Sequence, residues 1–547
     1  MTREEYASIL LPDVKNSRAY YEEKYPKRNL PENAMVTRLA PSPTGMVHVG
    51  SLYQGIVAKK LASQSGGVCF LRIEDTDQKR EMENGAEIII KSLANYDILF
   101  DEGVTLDGEY GNYGTYIQSK RKDIYQAFVK DLIIQDKAYP SFLTEEEKAE
   151  LTKKQEAMKG RIGYFGKWAS KERAMTMEEV VKKVLSGIPY VIRLKSQGDF
   201  ENKIVVHDLI KGDIELPEND MDIVLLKQDG LPTYHFAHAV DDSLMGTTHV
   251  TRGDEWVSSL PVHVELFKAL DYPLPKYAHL ATIQKEEDGK RRKISKRKDP
   301  EADVRYYTET GIPREAVKIY LFTLANSNFE EWFLENPDKD LSEFQLDFKK
   351  MSTSGALFDL EKLLNISRNY LSTLSAEEVY NRTYNWAKTF DLEFAKVLED
   401  NKQIAIDSLN IEREGEKPRK DFAMYSEVLE NVWYMFDELY QPTEYEWQKI
   451  TDKDEIKNIL NVYMDKYYDS SDNGEEWFNK VKLLCDELGY SSNMKEYKKN
   501  PENFKGNVAD VSTVIRVAIT SKSRTPNLYD IMKILGKEKI LKRIASL

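Results

Sequence analysis

Three groups of residues in this 547-residue chain have the types and spacing to do chemistry. The first is Pro41-Ser42-Pro43-Thr44-Gly45-Met46-Val47-His48-Val49-Gly50-Ser51. Its prolines and glycines form a tight loop that leads into a helix near His48. A helix N-terminus offers unpaired N–H groups and the positive end of the dipole, both suited to phosphate. Gly50 leaves room for a nucleotide against the backbone, and His48 can donate to a phosphoryl oxygen. A simple turn with a polar cap is the plainer alternative; neither the Walker pattern nor GxGxxG is present. The second group is Lys293-Ile294-Ser295-Lys296-Arg297-Lys298, in a tract (285–298) with eight basic and three acidic residues. Two lysines three apart on a mobile loop can follow charge onto a departing pyrophosphate; a solvated basic face is the alternative. The third is Arg38 within the first expected strand, Glu74 at the end of the second, and Arg252 after THV at the end of another. An arginine pairs bidentately with a carboxylate and a glutamate binds an ammonium, so together they suit an amino acid with a second carboxylate. Structural ion pairs are the alternative for each. His235 and His238 stand three apart and read as core or substrate-lining residues, not metal ligands.

The elements that must position these groups follow from pattern. VTRLA (36–40) is a short strand, residues 49–64 a helix with Leu52, Ile56 and Leu61 on its apolar face, and VCFLRI (68–73) a second strand, with Gly66-Gly67 ending the helix. Strand, helix, strand within about 40 residues is a βαβ unit, which predicts a parallel sheet with ligands beyond the strand ends. Residues 78–140 read as helix and loop, turn-rich from Glu102 to Gly114. Thr144-x-x-Glu147, Thr176-x-x-Glu179 and Ser375-x-x-Glu378 are capping boxes that open helices. Strand texture returns in YVIRL, KIVVHDLI and DIVLLK, followed by an Asp229-Gly230 turn. Beyond about 305 strands nearly vanish, so the reading is an α/β front half and an α-helical back half.

Composition bounds the class. Lys and Arg total 78 against 92 Asp and Glu, a net charge of −14 that by itself argues against a nucleic-acid partner. Local tracts say otherwise: residues 516–547 hold eight Lys and Arg against two acids, and phosphates respond to fields within about 8 Å. The acidic excess is then expected on faces turned away from such a partner. Two distant cysteines, Cys69 and Cys485, exclude a disulfide framework and a multi-thiolate zinc site. No apolar run is long enough to span a membrane and the N-terminus is too charged for a secretory segment, so a cytoplasmic protein with no membrane partner is expected.

RLAPSPTGMVHVGS, FLRIEDTD, DGLPTYHFAHAVDDSLMGTTHVTRGDEW and KISKRK, in that order, resemble the class I glutamyl-tRNA synthetases of bacterial type. His48-Val49-Gly50-Ser51 is similar to the family's HIGH signature and Lys293-Ile294-Ser295-Lys296-Arg297 to its KMSKS loop. The likeness continues through FDLEKL (358–363) and TPNLYDIMKILGKEKILKRI (525–544), leaving out residues 1–34. Glutaminyl relatives read PEPNG and DDTN where this chain has PSPTG and EDTD. The resemblance implies an α/β, Rossmann-like parallel sheet with an inserted acceptor-binding α/β domain and an all-α C-terminal half. Its expected layout is a 1–34 extension, a catalytic domain split into 35–113 and 222–288, an insert at 114–221, a KISKR and stem-contact region at 289–370, and an anticodon-binding domain at 371–547. It implies ATP-dependent activation of L-glutamate and transfer to tRNA-Glu, with tRNA-Gln left open, by a monomer. His48 and Gly50 would hold ATP, Lys293 and Lys296 would stabilise the transferring phosphoryl group, and Glu255 and Trp256 would line the adenosine pocket. Arg38, Ala40, Ser42, Glu74, Tyr234 and Arg252 match the glutamate-binding positions, and Arg419 is a loose candidate for the anticodon. Mg²⁺ would travel with ATP. Relatives that bind zinc do so through cysteines near the stretch that reads AYPSFLTEEE (138–147) here, so no zinc is expected. His238 stands where relatives have asparagine or an apolar residue. A non-catalytic tRNA-binding paralogue would have no need of His48, Lys293 and Lys296, and enzymes that glutamylate a tRNA base lack the helical half.

Overall fold

The computed structural model describes residues 1–547 apart from Gln78 and Glu81, on which part of the helix-and-loop reading from 78 onward falls. The chain divides into two compact units, Met1–Tyr306 with Lys318–Asp359, and Tyr307–Val317 with Leu360–Leu547.

The first unit opens with two short helices, α1 (Arg3–Leu10) and α2 (Arg18–Lys24), N-capped by Thr2 and Ser17. Strand β1 (Val36–Leu39) is buried on both faces and pairs in parallel with β2 (Val68–Leu71), as expected of a strand covered by helices. The crossover is α3 (Val49–Gln64), whose Leu52, Ile56 and Leu61 face the core. It ends at Gly66, at φ +68°, and Gly67 lies so close to β1 that a Cβ would sit 2.0 Å from the Met35 carbonyl oxygen. After α4 (Gly85–Ala94) the turn-rich stretch departs from expectation. It contains β3 (Glu102–Thr105), parallel to β2, and β4 (Gly108–Tyr110), which returns antiparallel. Gly103 reads as a turn residue, yet its missing side chain is what admits the Leu71 backbone, 2.2 Å from where a Cβ would stand.

Helix α5 (Lys122–Ile134) leads to β5 (Ala138–Ser141). Then come α6 (Glu145–Ala157), α7 (Ser170–Arg173) and α8 (Met177–Leu185), the first and last opened by the expected capping boxes. β6 (Val191–Leu194) pairs with β5 and also with β9 (Val224–Leu226), both antiparallel. Between them β7 (Lys203–Asp208) and β8 (Gly212–Pro217) form a hairpin. The Asp229-Gly230 turn, with Gly230 at φ +77°, feeds α9 (Tyr234–Leu244). Next come β10 (His249–Gly253), α10 (Leu260–Ala269) and β11 (Lys276–Leu280), with β10 parallel to β11 and β11 parallel to β7. Thr248 N–H donates to the Val36 carbonyl (3.0 Å), which lays β10 along the free edge of β1. Strand order therefore runs in opposite directions from the β1/β10 junction, the switch point at which α/β sheets bind ligands. The basic tract is not a loop throughout: β12 (Ile283–Glu287) and β13 (Lys290–Lys293) form a tight hairpin through Asp288-Gly289, both at positive φ, and β14 (Ala356–Leu357) joins it.

Residues 1–34 are built into this unit. The Arg28 guanidinium donates to both Glu102 oxygens (2.8 Å each) and to the Met245 carbonyl (2.7 Å), and lies 3.9 Å from the Tyr113 ring centre. Arg18 reaches Asp131 on α5 and the Leu270 carbonyl, between the rings of Phe128 and Tyr272.

The second unit is helical, with no strand among its described residues. Ser375 caps Ala376–Phe390 through a complete capping box. One apolar cluster gathers Val379, Phe394, Leu398, Val428 and Phe436; a second gathers Ile459, Val481, Leu484, Val511 and Ile515.

Breaking a well-shielded ion pair from one side leaves its partner uncompensated. Arg28→Ala is therefore expected to lower unfolding stability by about 3 kcal/mol, read from urea midpoints. A change within about 0.5 kcal/mol would show that the extension is not fastened this way.

Candidate active site

At the junction of β1 and β10 the charged residues organise around one helix. Asp241 and Asp242 lie on α9, fully buried. Asp242 accepts from Arg38 Nε (3.1 Å) and from Arg72 Nη1 (2.6 Å), and Arg72 Nη2 continues to Glu74 Oε1 (3.0 Å). Asp241 accepts from Arg121 Nε (2.7 Å), Tyr125 Oη (2.7 Å) and Gln118 Nε2 (2.9 Å). The two arginines hold the Asp242 carboxyl well below the usual range against the opposing effect of its burial. Arg38 also donates to the Thr251 carbonyl (3.3 Å), tying β1 to β10.

Arg38, Glu74, Tyr234 and Arg252 come together as expected. Burial and then Glu74 push the Tyr234 hydroxyl up, while Arg252 and Arg38 pull it down; Asp242 and Arg72 link Arg38 to Glu74, and Arg252 and Tyr234 both border Trp256. Burial likewise raises the Glu74 carboxyl, against Arg72 and Arg38. The Tyr234 ring stands 4.4 Å from Trp256 and 6.1 Å from His238, measured between centres. His238 is not an open ligand position: it is fully buried, with Nδ1 2.8 Å from Asp242 Oδ2 and Nε2 3.0 Å from Tyr277 Oη. Ala40 and Ser42 frame the loop above β1, where the Pro41 carbonyl accepts from Glu74 N–H (3.1 Å).

The phosphate side is built by a second encounter. His48 is the N-cap of α3, its Nδ1 accepting from Gly50 N–H (2.9 Å). Acting as a polar cap therefore fixes the tautomer, leaving the other ring nitrogen as donor. Gly50 serves this cap directly, since a Cβ there would lie 3.1 Å from His48 Nδ1. Lys296 Nζ donates to the Met46 carbonyl, and Lys293 Nζ contacts Glu255 Oε1 (3.2 Å). Burial first, then Lys296 and Lys293, push His48 below the usual imidazole range, and the Lys296 contact with the Met46 carbonyl brings the two motifs together. The tract's other cations are partly spent on Glu287 and on two acids just beyond it, Asp299 and Glu301. Arg292 grips Asp299 (2.6 and 2.8 Å) and Glu287 (2.6 Å), Lys285 pairs with Glu301, and Lys298 approaches Glu287 (3.4 Å). Among the described residues no group of three His, Cys, Asp or Glu could hold a metal ion, and no helix is long and apolar enough to cross a membrane.

Residues 34–364 match the family described as class I tRNA synthetases (E and Q), catalytic domain, and residues 419–547 match the anticodon binding domain. This chain belongs to the class I glutamyl- and glutaminyl-tRNA synthetase family. Glutamate–tRNA ligases of Clostridium perfringens strain 13 and Acetivibrio thermocellus are each 47% identical to it, over 100% of both chains. The crystal structure of a glutamate tRNA ligase from Elizabethkingia meningosepticum in complex with its amino acid superposes with a TM-score of 0.74 at 25% identity, covering 94% of this chain and 99% of that one.

In this synthetase-family site, motif reading overlooks Arg72, Asp241, Asp242, His263 and His279. Two adjacent aspartates inside an otherwise apolar helical stretch are the sign that could have exposed the first three. In the helical unit Arg419 is paired with Asp421. The same unit has a cleft of about 610 Å³ lined by Trp477, Phe478, Arg516, Thr525, Pro526 and Tyr529. Arg516 Nη1 donates to the Thr525 and Pro526 carbonyls (3.0 and 2.8 Å), and Trp477 Nε1 donates to Tyr463 Oη (2.9 Å).

Burial lowers His235 and His238 to about 4. Such imidazoles stay neutral in the native state while the unfolded chain takes up protons near pH 6.5. Their contribution is thus complete above that pH and is lost as the pH falls towards 4, by up to about 1.4 kcal/mol per pH unit for each. Urea midpoints should drop steeply between pH 6.5 and 4.5; a flat profile would contradict the buried neutral histidines.

Proposed function

We propose that this chain is a glutamate–tRNA ligase that activates L-glutamate with ATP and transfers the glutamyl group to the terminal adenosine of tRNA-Glu. The observation that carries this reading is the charge cluster at the β1/β10 junction, where Asp242 and Arg72 link Arg38 to Glu74 and where Tyr234 and Arg252 both border Trp256, together with the Lys296 contact on the turn that leads to His48. The arginines supply donors for carboxylate and Glu74 a partner for the ammonium. The substrate's α-carboxylate oxygen attacks the α-phosphorus of ATP, and the bond to the bridging oxygen breaks, releasing pyrophosphate with its electron pair. A hydroxyl of the tRNA adenosine then attacks the acyl carbon and AMP departs. No protein nucleophile is required; the chain contributes position and charge. His48 donates from the ring nitrogen not used by its cap, Gly50 keeps the turn open, and Lys293 and Lys296 follow charge onto the leaving pyrophosphate. Glu255 and Trp256, between Tyr234 and Lys293, border the adenosine. Mg²⁺ enters with the nucleotide, as part of the substrate.

In the helical unit, the Trp477–Phe478–Arg516 cleft suits an unstacked anticodon base, which aromatic faces and an arginine recognise. It is a better placed candidate than Arg419, whose charge is matched by Asp421, whereas the Arg516 hydrogen bonds go to neutral oxygens. The reaction belongs in the cytoplasm, where aminoacyl-tRNA is consumed.

The reading is tested by charging purified tRNA-Glu and tRNA-Gln separately with labelled glutamate and labelled glutamine. Glutamate on tRNA-Glu should be efficient and glutamine poor, because an amide leaves a carboxylate-binding arginine unmatched. Charging with glutamine as readily as with glutamate would overturn it; product on tRNA-Gln would extend it. Lys296→Ala should reduce tRNA-dependent ATP–pyrophosphate exchange by about 10²-fold or more, the scale of a lost transition-state charge contact. Near-normal exchange would remove Lys296 from the mechanism. Phe478→Ala should raise the KM for tRNA about tenfold, the scale of one lost base stack, with the KM for glutamate unchanged; an unaltered tRNA KM would empty the cleft of that role.

A further inference from the structure

Three arginines meet near the β1/β10 junction, and two of them lean on carboxylates. Arg38 and Arg72 share Asp242, and Arg72 also holds Glu74. Arg252 is held differently. Its Nε donates to His279 Nε2 (3.0 Å), Nη1 to His263 Nδ1 (3.2 Å) and Nη2 to the Trp256 carbonyl (3.4 Å), and its guanidinium carbon lies 4.7 Å from the Tyr277 ring centre. None of these partners carries a negative charge.

A guanidinium only donates, so both imidazole nitrogens facing it must bear lone pairs. That determines the rest of each ring. His279 Nδ1–H points at Asp208 Oδ2 (2.6 Å), which also accepts His279 N–H (3.1 Å). Asp208 is itself fixed by the Ile210 and Lys211 N–H groups (3.0 and 2.9 Å). His263 Nε2–H points at His235 Nδ1 (3.0 Å). His263 and His279 are fully buried, so water does not compete for the acceptors. Burial first, and the nearby Arg252 charge, disfavour a second proton on either ring, for His279 against the opposing effect of Asp208.

A carboxylate in either position would grip the arginine more strongly, and would also satisfy its charge. An imidazole fixes direction and leaves the charge available. We propose that His279, oriented by Asp208, and His263 are positioning residues for Arg252. They form a neutral acceptor seat that aims its guanidinium while reserving its positive charge for the substrate's side-chain carboxylate, and so set the discrimination of glutamate from glutamine. This rests on the glutamate-binding reading above and adds to it the residues that make Arg252 selective.

The test uses the full chain with purified tRNA-Glu and two matched pairs of variants, with Arg252→Ala as reference. His279→Glu and His263→Asp place a carboxylate on Arg252; His279→Gln and His263→Asn keep a neutral acceptor close to the native nitrogen. The acidic variants should raise the KM for glutamate by about 10²-fold, the scale of a satisfied or lost buried charge contact, and reduce the glutamate-to-glutamine ratio in kcat/KM. Their KM for ATP should stay near that of the parent. The neutral variants should recover most of the glutamate KM. Thermal melts report whether each variant folds, and if one acidic variant does not, the other pair decides. Equal losses in the acidic and neutral members of a folded pair, or losses confined to the ATP KM, would overturn the seat. A parent chain that does not use glutamate at all would instead overturn the functional reading on which it rests.

Discussion

The buried carboxylate of Asp242 is the constraint on which the rest of the first unit depends. It sits on α9, out of water, with Arg38 from β1 on one side and Arg72 from the end of β2 on the other. A lone carboxylate at that depth would be untenable, and so would either arginine. Each therefore specifies the position of the others: β1, β2 and α9 cannot shift independently without stranding a charge. Asp241, one residue earlier, does the same for α5 through Arg121 and Tyr125. Two adjacent acids thus key one helix to both sides of the sheet junction, and Arg38 inherits its geometry from that lock.

The same economy of charge shapes the phosphate side. A tract of eight cations in fourteen residues looks like a free basic arm, but Asp299, Glu287 and Glu301 neutralise Arg292, Lys285 and Lys298 and stiffen the hairpin. What remains directed at the His48 turn is Lys296, with Lys293 held back at Glu255. Arg252 illustrates the opposite choice, a cation positioned by neutral rings. Arg72, spent on Asp242 and Glu74, serves the structure, whereas Arg252, resting on imidazoles, keeps its charge for a ligand.

Much of this was legible from pattern. The helix from Val49 to Gln64, its glycine stop, and the boxes at Thr144, Thr176 and Ser375 obey local rules involving groups a few residues apart, and these appear as read. β3 and β4 were not legible, because Gly103 and Gly108 carry turn-like composition and the strand exists only through pairing with a distant backbone. The N-terminal extension was equally opaque. Arg18 and Arg28 are ordinary surface cations in the sequence until Asp131 and Glu102, about 110 and 74 positions away, are brought beside them.

The sequence by itself determined the family and the α/β-then-helical order, because those depend on residue type and short spacing. Only the tertiary structure decided which charges are left to act. Burial, and the nearest partner across hundreds of residues, set whether Arg72 is a strut, His48 a cap as well as a donor, and Arg252 an uncompensated cation. Electrostatic interactions fall off with distance in space and strengthen as water is excluded, and neither quantity is written along the chain.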